Sequence, residues 1–222
     1  MPVLNLNSFD LENPIVAGDV TIGSGTSTQR DVPISFYYNY SYSGQFLTPT
    51  QLAGIPNGAT ITKIEWEYEI PANGTFEIED VDMYMFQVDS TYTRWSNSQQ
   101  QVNGFSGNDT AWNNAISNYI QVKNDATISY VKVSADPDIQ YRGIDLTTSY
   151  TNFDNTKNLC IVLNSNDGDY QTGTFTYPRI LTTFATNGNT YYANERDSAA
   201  YSDTSIVNYE ISYTPNIKIY WI

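Results

Sequence analysis

The sequence predicts an all-β protein: a single antiparallel β-sandwich of jelly-roll type over residues 21–222, preceded by an extended N-terminal arm over residues 1–20. Three observations carry this expectation. The segment ITKIEWEYEI (Ile61–Ile70) places Ile64, Trp66, Tyr68 and Ile70 on one side and Lys63, Glu65, Glu67 and Glu69 on the other, which is a strand with one core face and one wet face. Strand-like segments recur about eight to ten times between turn signals, the pattern of a sandwich or jelly roll. The 222 residues include 19 Tyr and 4 Trp but only 10 Lys plus Arg, a composition that suits pleated surfaces and polar loops and is long enough to bury a core.

Taken in order, residues 1–20 scatter Val3, Leu4, Leu6, Phe9, Leu11, Ile15 and Val16 without a period and are broken by Pro14 and Gly18. They read as an arm that adds an edge strand or docks on a neighbouring subunit, with a first strand of the sandwich as the alternative. Residues 22–48 open with a Gly/Ser/Thr turn, pass Pro33 and then alternate, so that Phe36, Tyr38, Tyr40 and Tyr42 share one side of an extended strand. Residues 75–88 carry apolar side chains on both faces, which predicts a strand covered twice or bordering an interface. Residues 90–126 read as a loop-rich insertion, with a short capped helix expected over 108–120. Strands are expected again at 126–134, 143–146, 158–164, 175–184 and 207–222. Of these, NLCIVLN (158–164) is a continuous apolar run suited to the middle of a sheet.

The bulk chemistry excludes more than it names. A formal charge of −14 opposes phosphate backbones and anionic membranes, so neither nucleic acid nor membrane is an expected partner. With no histidine, Ser-His and Cys-His nucleophilic systems and His-ligated metals are absent from the options, and no enzyme activity is expected. The single Cys160 sits in an apolar run, where a buried inert thiol is expected. No segment reads as an export signal or a membrane span.

Three groups of residues stand out as candidate sites. Tyr38, Tyr40 and Tyr42, with Trp95 and Trp112 from the insertion, are a candidate ligand-binding platform for sugar stacking; the plainer reading puts half of these rings in the core. Asn164, Asn166, Asp167 and Asp169 offer oxygens to a structural Ca²⁺, although a plain Asn/Asp/Gly turn explains the same residues without any cofactor. The acids Glu65, Glu67 and Glu69, and Glu77, Glu79, Asp80 and Asp82, would serve glycoside hydrolysis only if two of them stood roughly 5–9.5 Å apart across a cleft; a solvated outer face is the simpler expectation.

The stretches TIGSGTSTQRDVPISFYYNYSYSGQFLT, RGIDLTTSYTNFDNTKNLCIVLNSNDGDY and TPNIKIYW together resemble β-sandwich modules of secreted, multidomain Bacteroidetes surface proteins. The likeness runs from about Thr21 to Trp221, with residues 90–126 poorly matched. It implies a non-catalytic module with a binding or structural role. Because the sequence starts at Met1 without an export signal and stops where such a module stops, a free-standing, phage-borne copy is expected. That means a structural virion protein, a capsid auxiliary or decoration protein or a head, collar or tail appendage, partnered by other virion proteins or by itself as a homo-oligomer. The alternative is a secreted or cell-surface adhesin module that binds glycan.

Overall fold

The computed structural model describes residues 15–30, 32–36, 38–70, 74–91, 119–132, 138–168, 177–184, 190–195 and 207–222, with backbone alone at 42, 190–195 and 207–211. The strands are β1 (Gly18–Ile22), β2 (Ser27–Gln29), β3 (Tyr40–Leu47), β4 (Ile61–Ile70), β5 (Thr75–Val88), β6 (Ile120–Val131), β7 (Asp138–Tyr150), β8 (Asn158–Ser165), β9 (Arg179–Phe184), β10 (Thr190–Glu195), β11 (Val207–Ile211), β12 (Tyr213–Pro215) and β13 (Ile217–Trp221). All pairings are antiparallel, in two sheets, and no helix occurs among the described residues.

The seven-stranded sheet is ordered β1-β13-β4-β9-β12, with β2 on β9 and β7 on β4; the six-stranded sheet is ordered β11-β10-β3-β8-β5-β6. The alternation in β4 sets the geometry. Ile64, Trp66, Tyr68 and Ile70 are buried against Val81, Met83 and Met85 of β5, Ile128 and Tyr130 of β6, and Leu159, Ile161 and Leu163 of β8, so both sheets share one core. Trp66 Nε1–H donates to Gln45 Oε1 at 2.7 Å across the sheets, both residues being fully buried. Deeper in, Tyr68, Tyr130 and Phe36 pack edge to face with centroids 4.7–6.5 Å apart, an arrangement that the ring quadrupoles favour.

The tyrosine-rich stretch departs from expectation. Strand β3 begins only at Tyr40, and residues 32–36 are bent rather than extended, sending Val32, Ile34 and Phe36 into the core. Pro33 has no N–H to give a ladder, and local hydroxyls do the ladder's work: the Ser35 N–H donates to Ser41 Oγ at 3.2 Å, and Ser43 Oγ–H donates to the Pro33 carbonyl. Three other boundaries move. Strand β6 starts at Ile120, inside the expected insertion; β7 starts at Asp138, before 143; and the expected end of the arm, residue 20, falls within β1, which pairs with β13 from Gly18↔Trp221 to Ile22↔Ile217. The helix expected over 108–120 lies outside the described residues except at its end, where Ile120 is already strand.

One residue joins the seven-stranded sheet together. β12 and β13 are consecutive, and at Asn216 between them the chain leaves β9 and joins β4: the Asn216 N–H donates to the Leu181 carbonyl at 2.9 Å, and its carbonyl accepts from the Glu67 N–H at 3.1 Å. Its fully buried side chain donates to the Gly25 carbonyl at 2.8 Å and to Glu67 Oε2 at 2.7 Å, and accepts from Thr183 Oγ1–H at 2.9 Å. Thr183 Oγ1 in turn accepts from the Ser24 and Gly25 N–H groups at 2.9 and 2.8 Å. This explains the Gly-Ser-Gly turn. Gly23 sits at φ 87°, and a Cβ on Gly25 would lie 2.2 Å from the Thr182 carbonyl oxygen.

Asn216→Ala leaves the Gly25 carbonyl and Thr183 hydroxyl short of partners and is expected to lower the unfolding free energy by about 2–4 kcal/mol, read from the midpoint of denaturant unfolding. Asn216→Asp keeps the shape but sets a carboxylate against Glu67, so its deficit relative to the parent should shrink as the pH is lowered toward the carboxylate range.

Candidate functional site

On the outer face of the seven-stranded sheet the acidic stripe of β4 meets basic and phenolic partners. Lys63 Nζ lies 2.7 Å from Glu65 Oε1 and 3.9 Å from Asp145 Oδ1, Lys218 Nζ lies 3.3 Å from Asp19 Oδ2, and Tyr220 O–H donates to Glu65 Oε2 at 2.6 Å. Both ammonium groups also lie over the Tyr220 ring, Lys63 Nζ at 5.4 Å and Lys218 Nζ at 5.1 Å from its centroid. Burial pushes the Glu65 carboxyl up, but the hydrogen bonds from Lys63 and Tyr220 outweigh it and hold the group below its ordinary value. Glu65 is thus compensated in place by Lys63 and Tyr220.

The six-stranded sheet presents a different surface at the end where β3 begins and β8 finishes. The register Tyr42↔Asn164↔Asp82 sets these three residues in one row across β3, β8 and β5. Just beyond it the Asn166 N–H donates to the Asp80 carbonyl at 3.0 Å, and the Gly168 N–H donates to the Asn39 carbonyl at 3.0 Å. Gly168, at φ 73°, passes so close to Tyr40 that a Cβ there would stand 3.3 Å from the Tyr40 hydroxyl oxygen. The half-buried Tyr40, one of the expected aromatic residues, thus meets the turn that follows Asn164. Tyr38, also half-buried, directly precedes this strand. Trp95, Trp112 and Asp169 lie outside the described residues, so the expected platform is placed only at Tyr38, Tyr40 and the backbone of Tyr42.

Bulges bring acids to the same end. β5 shifts register between Ile78 and Val81 and again between Val81 and Met83, and Asp80 and Asp125 take φ values of 49° and 52°. The Asp125 N–H donates to Asp82 Oδ1 at 3.1 Å, and Tyr84 O–H reaches Asp82 Oδ2 at 3.5 Å. The Asp80 carboxyl is raised by burial and then by the negative charges of Asp82 and Asp125, while burial beside Asp82 pushes the Tyr84 phenol up to about 12. Asp125 is a member that the sequence reading did not single out, hidden inside the presumed insertion.

At the opposite end of β5 and β8 a cleft of about 420 Å³ is lined by Met85, Phe86, Gln87, Ile120, Tyr150, Asn152, Asp154 and Lys157. Two hydrogen bonds hold Gln87 to the Asp154 backbone there: Gln87 Nε2–H donates to the Asp154 carbonyl at 2.7 Å, and the Asp154 N–H donates to Gln87 Oε1 at 2.9 Å. Phe86, which faces away from the shared core, is stacked on Tyr119 with centroids 3.7 Å apart. This covers the second apolar side of β5 that the sequence predicted. Cys160 is a free, fully buried thiol whose pKa burial raises well above the ordinary value.

These features define a two-sheet antiparallel all-β protein with an aromatic, amide and carboxylate surface at one end of its smaller sheet. No protein-family model matches the chain, and no curated protein matches it.

The compensation of Glu65 has a pH signature. Its lowered native value means that the stability it contributes is present above the ordinary glutamate value and is lost as the pH falls through the lowered native value. Tyr220→Phe should therefore be less stable than the parent at neutral pH, with the gap closing below about pH 4, as measured by thermal unfolding across a pH series.

Proposed function

We propose that this chain is a non-enzymatic structural or binding module, a β-sandwich of jelly-roll type, that works by contact on a particle surface as a bacteriophage virion protein. The observation that carries the reading is the convergence at one end of the six-stranded sheet: Tyr40 from β3, the Asn164–Gly168 segment after β8, and the acidic bulges of β5 and β6. This surface offers ring, amide and carboxylate groups on a rigid sheet end, the mixture through which protein surfaces recognise one another. The resemblance to surface modules and a charge of −14, which keeps copies apart unless specific contacts join them, point the same way. The absence of histidine from the sequence and the internal pairing of the β4 acids support a role without catalysis.

A glycan-binding adhesin module is the second reading, favoured by the half-buried Tyr40 lying against Gly168 in the turn that follows Asn164 and Asn166.

Co-sedimentation of purified protein with particles of its phage, or light scattering for a defined homo-oligomer, tests the first reading. Tyr40→Ala should weaken that association at least tenfold while the circular dichroism stays unchanged, since Tyr40 is only half-buried. A monomer with no affinity for particles, whose binding to a glycan array is instead abolished by Tyr40→Ala, would overturn it in favour of the second.

A further inference from the structure

Asp80, Asp82 and Asp125 gather at two bulges of the six-stranded sheet, and beside them lie side-chain oxygens that have no hydrogen-bond partner among the described residues. Asn164 is 9 % exposed, and its Oδ1 is buried without a hydrogen-bond partner; Asn166 Oδ1 is likewise buried and unpartnered. Asn164 stands directly across from Asp82 in the β5–β8 register, which puts both side chains on one face of the sheet, and the Asn166 N–H bond to the Asp80 carbonyl holds that amide next to the acids. A buried carbonyl oxygen left unpaired is expensive in a folded protein, by about 1–3 kcal/mol, and two of them beside three carboxylates are a set of ligands.

We propose that this end of the sheet is a calcium site, in which Asp80, Asp82 and Asp125 supply carboxylate oxygens and Asn164 and Asn166 supply amide oxygens. The donors are all hard oxygens, with no sulfur or imidazole, which selects alkaline-earth ions over zinc or copper. Calcium is favoured over magnesium because the donors are mostly protein oxygens on irregular bulges, and calcium accepts six to eight ligands in flexible geometry. Among the described residues these acids do not already converge on a single point. The acids carried by the two bulges repel one another, and a bound cation supplies the attraction that draws them together. The site retains Asn164 and Asn166 of the set expected from the sequence and replaces Asp167 and Asp169 with acids from β5 and β6. It binds an ion whether or not the neighbouring Tyr40 surface binds a partner.

The test is calorimetric titration of the EDTA-treated full-length protein with CaCl₂ and with MgCl₂, beside thermal melts. Calcium should bind with a dissociation constant between about 1 μM and 1 mM, raise the melting temperature, and outcompete magnesium. Asp80→Asn/Asp125→Asn suits the left-handed backbone at both positions; it should abolish the calcium response and, in EDTA, be at least as stable as the parent because mutual repulsion is gone. Asp19→Asn/Asp145→Asn, an equal charge change on the other sheet, should keep the response. Asn164→Leu, which replaces an orphaned oxygen with a carbon of similar size, should weaken calcium binding about tenfold or more without loss of stability in EDTA. It serves as the deciding variant should the double substitution fail to fold. No calcium response in the parent up to about 10 mM, above the weakest extracellular calcium sites, overturns the proposal. So does a response that survives Asp80→Asn/Asp125→Asn, or that the control on the other sheet reduces equally, since both outcomes mean general screening of an acidic chain.

Discussion

The seven-stranded sheet depends on a single fork. β4 runs beside β7 along one edge, but along its other edge it is shared by β13 and β9, and a strand cannot have two neighbours on one side without a place where one hands over to the other. Asn216 is that place. Its backbone completes both ladders, and its side chain reaches the Gly25 carbonyl, 191 residues away in sequence, so the turn before β2 is fastened to the same point. An amide suits the position because it donates twice and accepts at once in a site from which water is excluded. The neighbouring carboxylate of Glu67 is one of its acceptors, which gives a residue of the solvent-facing stripe a second role in holding the sheet closed.

Much of the architecture was legible because burial imposes a period. From Ile64 onward in β4 and throughout β13 every second residue is buried, and the alternation of Ile64, Trp66, Tyr68 and Ile70, or of Ile217, Ile219 and Trp221, needs no tertiary knowledge to be read. The same reasoning failed at Phe36, where serine hydroxyls replace ladder bonds and an apparent strand becomes a bent segment feeding the core. It failed again at the start of β6, where Gln121, Asn124 and Asp125 are exposed and only Val122 and Ala126 mark an inner face, with a bulge breaking their period.

For the site, the residue types were visible but the neighbourhood was not. Tyr40 and the Asn164–Gly168 segment each carry a composition that attracts notice, yet nothing local says that β3 and β8 are paired, which is what sets them side by side. Asp125 was invisible for the reverse reason. An isolated acid in a polar stretch means nothing until a bulge and the Asp82 carboxylate give it a position. The two ends of the smaller sheet also differ: amides and acids gather where β8 ends, whereas the cleft where it begins mixes Met85, Phe86, Ile120 and Tyr150 with Gln87, Asn152, Asp154 and Lys157.

The fork at Asn216 also orders events during synthesis. A chain emerges amino-terminal end first, and strands that pair with their neighbour in sequence, β5 with β6 and β10 with β11, can do so as soon as both are out. The larger sheet has no such option. β1 and one flank of β4 wait for β13, and β2 waits for β9. Until residues 216–221 leave the ribosome, the inner face of β4, with Trp66 and Tyr68, can be covered from the smaller sheet, while the strand edges that β13 will occupy stay open to other chains.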